Sequence, residues 1–359
     1  MSIARDRARP RRSALAGLLI ALAASAPAVA QQTPLEVRVV TDQADAVLTI
    51  LDQLAARRDP AESAWRQLFE TEGYRRLQQR EAAFRRAFTD SAFREFVRSP
   101  DLARRAPALR ATLARWVATD PAAAARAAFA YLPAHARIRA SVYPVIKPRT
   151  NSFVFEARTN PAIFLYLDPE VTGPKFANTL AHELHHLGYA NACPDPPADS
   201  AVAAGVRAAR DWMGGFAEGR AMLAAAGGPD VHPHATSDSA ERAVWERDVA
   251  LVPDDIARLE AFYGDLLDGR LSDEAARDRG FTFVATDSVP QGAFYTVGWY
   301  MAAVVERELG RERLVASTCT PAALLADYNR AAERIAARGQ AAPPRWSDAL
   351  LARVGAPAP

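Results

Sequence analysis

Apolar residues recur three and four apart from about Ala44 to Ala130, and arginine and glutamate fill the faces between them. "DAVLTILDQLAARR" and "SAWRQLFETEGYRRLQQREAAFRRAF" both carry this period with few β-branched runs, so the region reads as a set of amphipathic helices. Gly73-Tyr74 falls inside the second stretch and is expected to interrupt it. The period then shortens to two. "ARIRASVYPVI" (136–146) alternates, and "SFVFEA" (152–157) and "AIFLYLD" (162–168) follow after turn-rich segments, which predicts three short strands. Thr172-Gly173-Pro174 is a helix-start signal, with proline in the first turn. Beyond the loop "CPDPPADS" the pattern is helical again near 199–226, 238–268, 292–310 and 321–337, and the end frays. The expected fold class is therefore α+β and mostly helical, with a small antiparallel or mixed sheet in the middle.

The helix that begins at Thr172 changes the picture. "NTLAHELHHLGYAN" (178–191) holds three of the six histidines of the 359-residue chain. Successive helical residues turn by about 100°, so His182 and His186 lie within about 40° of each other, and Phe176, Leu180, Leu184 and Leu187 lie on the far side. One face packs and the opposite face carries two imidazoles one turn apart, the H-E-x-x-H arrangement that grips a zinc ion. Glu183 lies beside them, poorly placed as a ligand but suited to be a general base on a water activated by the metal. His185 points off that face, toward solvent or a group behind the site.

A catalytic zinc takes three protein ligands, so one more must come from elsewhere. Glu218, in glycine-rich "DWMGGFAEGRAML", is the leading candidate: an unpaired carboxylate in such a setting is costly, and a metal ion relieves it. Gly214, Gly215 and Gly219 allow that helix to approach another closely. Glu241, Glu246 and Asp248 compete but have arginines beside them, and His232 and His234 are further alternatives. A developing oxyanion also needs a donor, for which Tyr295 is favoured over Tyr300.

The first thirty residues form a class of their own. A run of arginines from Arg5 to Arg12, the apolar "ALAGLLIALAAS" and the small-x-small "AVA" before Gln31 read as a secretory signal peptide cleaved after Ala30, and the apolar run is too short to span a bilayer. The chain is formally +2, but these thirty residues hold five arginines and one aspartate, so the remainder is about −2. No basic stripe is left to suggest nucleic acid, and no membrane span is expected after signal removal. The expected location is periplasmic or secreted. Cys193 and Cys319 are the only cysteines and could form one bridge or stay as two buried thiols.

"HELHH" followed by "AEGRA" resembles the H-E-x-x-H and later E-G-x-A pattern of the glutamate-type (gluzincin-like) zinc metallopeptidases, and the chain looks similar to exported bacterial families described as "putative zinc-dependent peptidase". The resemblance covers about residues 130–310. It implies a zincin-like fold, zinc held by His182, His186 and Glu218, Glu183 as base, and a peptide or protein substrate. It also implies an edge strand beside the substrate, for which "AIFLYLD" is the candidate, pairing with the peptide by strand addition. The gap from His186 to Glu218 is longer than in the best-known aminopeptidases of the clan, and no "GAMEN"-type strand is present. The expected organisation is a signal peptide over 1–30, a helical N-terminal region over 31–130, a zincin-like domain over 131–345 and a short tail over 346–359. Two other functions fit the residues: a zinc hydrolase of non-peptide amides or esters, and a non-catalytic periplasmic zinc-binding or scaffold protein, which would have no use for Glu183.

Overall fold

The computed structural model describes residues 34–194, 201–286 and 288–355. The expected signal peptide, 1–30, lies outside the described residues, as does most of the "CPDPPADS" loop.

The described chain opens with a strand that the periodicity reading missed, β1 (Leu35–Val39), whose alternate residues are half-buried. Six helices follow: α1 (Asp42–Ala55), α2 (Glu62–Glu70), α3 (Glu72–Ala83), α4 (Asp90–Val97), α5 (Pro100–Val117) and α6 (Pro121–Phe129). The expected break in the second stretch occurs at Thr71, whose hydroxyl caps α3 by accepting from Tyr74 N. Gly73 is inside α3, where a Cβ would come within 2.9 Å of Asp42 Oδ1 and Gln43 Cβ on α1. Its bareness serves helix packing rather than a chain break.

Three strands come next, β2 (Ile138–Val145), β3 (Phe153–Phe155) and β4 (Ala162–Tyr166). The sheet order is β1-β2-β4-β3, with β2 parallel to both β1 and β4 and β3 antiparallel to β4. β4 is therefore internal, which corrects the expectation that "AIFLYLD" forms the edge. Phe153, Val154 and Phe155 pair with Phe164, Ile163 and Ala162, and Tyr166 N donates to Ser152 Oγ. The fully buried run from Ala162 to Leu165 has the composition of a strand covered on both faces.

The C-terminal part is helical: α7 (Gly173–Ala192), α8 (Ala204–Met213), a single 3-10 turn (Gly214–Phe216), α9 (Ala217–Ala226), α10 (Ser239–Val249), α11 (Val252–Leu267), α12 (Asp273–Phe281), α13 (Ala293–Leu309), α14 (Arg311–Ala316), α15 (Pro321–Ala337) and α16 (Asp348–Arg353). The fold is α+β and mostly helical. Among the described residues no helix is long and apolar enough to cross a membrane.

Two large apolar clusters divide the interior. One draws on residues 44–193 and contains the N-terminal helices, one face of the sheet and the apolar face of α7. The other draws on residues 209–354, plus Tyr131, and is built mainly from helices, with Tyr131, Phe283, Trp346 and Val354 joining it from turns and connecting segments. α7 packs on α5, α6 and β2 on one side and on α9 on the other, so it lies at the seam between the two. A disulfide crosses this seam from Cys193, at the end of α7, to Cys319, just before α15.

Candidate active site

α7 starts where Thr172 Oγ1 accepts from Lys175 N, with Pro174 in the first turn. Phe176, Leu180, Leu184 and Leu187 are at most 2% exposed and fix the rotation of the helix. Each contributes about 1.5–3 kcal/mol of burial, enough to hold the opposite face in register. That face presents His182 and His186, whose rings lie 4.7 Å apart, centroid to centroid.

Glu218 reaches them from the first turn of α9. That helix lies against α13 at a glycine crossing: a Cβ on Gly219 would sit 2.0 Å from Trp299 N and 2.5 Å from Tyr295 O, and Gly298 stands opposite. Gly215 is likewise required bare, by the ring of Phe294, whereas Gly214 has open space around it. Two residues beyond Glu218, the buried Arg220 donates to Leu314 O, Ser317 Oγ and Thr318 Oγ1. All three acceptors are neutral, and burial pulls this guanidinium down to about 10. Arg220 thus pins α9 to the turn that carries Cys319.

The three donor atoms form a tight triangle. His186 Nε2 is 3.0 Å from His182 Nε2 and 3.1 Å from Glu218 Oε2, and His182 Nε2 is 3.3 Å from the same oxygen. Three donors about 2.0–2.1 Å from one tetrahedral zinc ion would stand about 3.3–3.4 Å apart, so the set needs to open by only a few tenths of an ångström to take such an ion. It is the only group of three histidine, cysteine or carboxylate side chains fit for a metal among the described residues. The charges respond to one another. Burial opposes ionisation of Glu218, but the two imidazoles outweigh it and hold the carboxyl far below its usual range. Burial would likewise lower His186, and Glu218 outweighs that and holds it above its ordinary value.

Glu183 is half-buried next to His182, and its charge acts on both His186 and Tyr295. The Tyr295 ring stacks on His182, 6.3 Å between centroids and 8° between planes. Its phenol is driven up by burial first and then by Glu218, with which it hydrogen-bonds, and by Glu183. Tyr300 instead lies against Tyr328 in the second core. His185 does not meet solvent: it is 0% exposed, and burial first, then His186 and Arg220, hold its imidazole neutral.

The other sequence candidates lie outside the triangle. Glu241 pairs with Lys175 across from α7, not with a neighbouring arginine. Asp248 is buried against Arg247 and accepts from Gln291 N, and Glu246 is exposed, 3.9 Å from His232. A cavity of about 530 Å³ opens beside His182 and Tyr295. Its walls are α7, α10, Met222 of α9 and the segments around His234 and Pro290, and among the described residues none of its lining comes from the sheet. Strand addition along β4 is therefore not the way into this site. The sequence reading missed Lys175 and the cavity-lining role of His234; the signal available was that Lys175 is seven residues before His182, on the same helical face.

No curated protein and no solved structure matches the chain. One family model does, across residues 65–337, from within α2 to the end of α15, well over half of the sequence. The family is described as "Putative zinc dependent peptidase (DUF5700)", a description that names zinc as the cofactor and peptides as the substrate, and the chain belongs to it.

Proposed function

We propose that this protein is an exported zinc metallopeptidase of the glutamate type, with His182, His186 and Glu218 holding the metal. The observation that carries the reading is the donor triangle with 3.0–3.3 Å edges, one member of which, His182, lines a cavity large enough for a peptide segment. When bound, zinc supplies Lewis acidity that polarises a carbonyl and makes a nearby water more acidic. Glu183 accepts the proton of the attacking water and delivers it to the leaving amine. Tyr295 keeps its proton, because burial and two carboxylates oppose its loss, and it donates to the carbonyl oxygen as negative charge grows there. The stacked His182 ring holds Tyr295 in place.

Export is supported by the leader-like first thirty residues and by the Cys193–Cys319 bridge, which belongs in an oxidising compartment. The test is Glu183→Gln in the zinc-loaded protein, assayed on a mixed peptide pool. Peptide hydrolysis should fall by about 10²–10⁴-fold with zinc content unchanged. Full activity in the variant would remove Glu183 from the reaction, and hydrolysis of esters but not peptides by the parent would change the substrate class.

A further inference from the structure

We infer that Lys175 is a substrate-recognition residue that takes a carboxylate of the peptide about three residues from the bond being cut, an inference that rests on the hydrolase reading above. Lys175, Thr179 and His182 follow one another along the cavity-facing side of α7. Seven helical residues span about 10 Å, and an extended peptide advances about 3.3 Å per residue. A chain running from the metal cluster along α7 therefore reaches Lys175 with its third residue.

The residue type is informative. The chain has 44 Lys and Arg in all, and only Lys147 and Lys175 are lysines. Where almost every cation is arginine, this wall of the cavity carries a compact ammonium on a flexible stem, a point charge able to change partners. Its place on the helix is unfavourable, since the first turn of α7 is the positive end of the dipole. Lys175 is thus a poor choice for helix stability and a good one for meeting an anion.

At present that anion is Glu241 from α10, the only partner of the Lys175 side chain among the described residues. Glu241 does not depend on it in the same way. The carboxylate also hydrogen-bonds Ser237 and lies in the first turn of α10, where the dipole favours negative charge. Its side chain is 41% exposed, so it is free to withdraw. A substrate carboxylate can take its place on Lys175; it brings one negative charge into the cavity, and Glu241 is left supported by Ser237 and its own helix.

The test uses hexapeptide pools in three forms: free C-terminal acid, C-terminal amide, and amide with one internal Asp or Glu. The zinc-loaded parent, Lys175→Met and Lys175→Arg are compared for kcat/KM and cut position, and binding is measured on Glu183→Gln with and without Lys175→Met. One acidic pool should be cleaved about tenfold better than the plain amide, as expected for a charge-assisted contact. The cut should fall about three residues from the carboxylate. Lys175→Met should bring the ratio close to one and Lys175→Arg should restore part of it. Which acidic pool is favoured tells a chain terminus from an acidic side chain. Cleavage with no acid preference, or a preference that survives Lys175→Met, overturns the inference and leaves the hydrolase intact. With N-acetylated copies of each pool and Glu241→Gln added to the set, a preference for a free amino terminus that Glu241→Gln abolishes overturns it in favour of Glu241 as the recognising group. Acid-selective binding that needs Lys175, without cleavage of any pool, keeps Lys175 as a carboxylate-binding residue but overturns its placing relative to a cut bond and removes the hydrolase; no selective binding and no cleavage removes both.

Discussion

The core built from residues 44–193 contains the sheet and holds α7 by its apolar face; the core built from residues 209–354 is almost entirely helical and carries Glu218 and Tyr295. The first supplies both imidazoles from one helix, so their spacing is set by local geometry alone. The second supplies its carboxylate and phenol from α9 and α13, so their spacing depends on how closely two helices cross. The difference explains where the site is robust. His182 and His186 stay paired as long as α7 is helical, whereas Glu218 meets them only if the Gly219–Gly298 crossing and the seam between the cores are both intact.

The comparison can be broken most strongly at the seam. The Cys193–Cys319 bridge closes a loop of 126 residues, for which the chain-entropy treatment gives about 5 kcal/mol. The Cys193→Ser/Cys319→Ser double variant should lose a stability of that order in denaturant titrations. Hydrogen exchange should then report separate opening of the two sets of helices; one shared opening would mean that other seam contacts suffice, such as Tyr131 donating to Glu306. Next comes the crossing itself. Gly219→Ala places a methyl 2.0 Å from Trp299 N and should cost about 3 kcal/mol or more, with zinc binding weakened because Glu218 moves. Gly214→Ala is the control: with nothing within 4 Å it should be neutral or stabilise by about 0.5 kcal/mol.

The remaining test belongs to the sheet side and is read as a pH dependence. Lys147 is buried between the rings of Phe153 and Tyr166, and burial lowers its ammonium from 10.5 to about 8. The unfolded chain keeps this proton up to about 10.5 and the folded one only to about 8, so unfolding takes up a proton between those values. Stability should therefore rise with pH through that window and be flat below it with respect to this group. Lys147→Met should lack the rise when the two proteins are titrated side by side.

What the sequence revealed follows the same division. The α7 face was legible because a 3.6-residue period is a local property, and Glu218 stood out because a carboxylate among glycines has no local partner. β1 was not legible: its alternation is five residues long and it pairs with β2, about a hundred residues later. The position of β4 inside the sheet was equally hidden, since chain order does not give strand order. His185 sits off the ligand face as its angle requires, yet it is buried because α7 is covered by two cores, and a single helix does not record how many neighbours it has. The disulfide stayed open for the same reason, two cysteines being compatible with a bridge or with none.

The place of α7 on the seam also bears on when the site comes into being. A chain folded only as far as Cys193 has two ring nitrogens in place and no carboxylate opposite them. The third donor arrives with the packing of α9 on α13, in the second half of the sequence. On the proposed ligand set, tight capture of an ion would be a late event that reports completion of both halves, and its binding free energy would add to the work of pulling them apart.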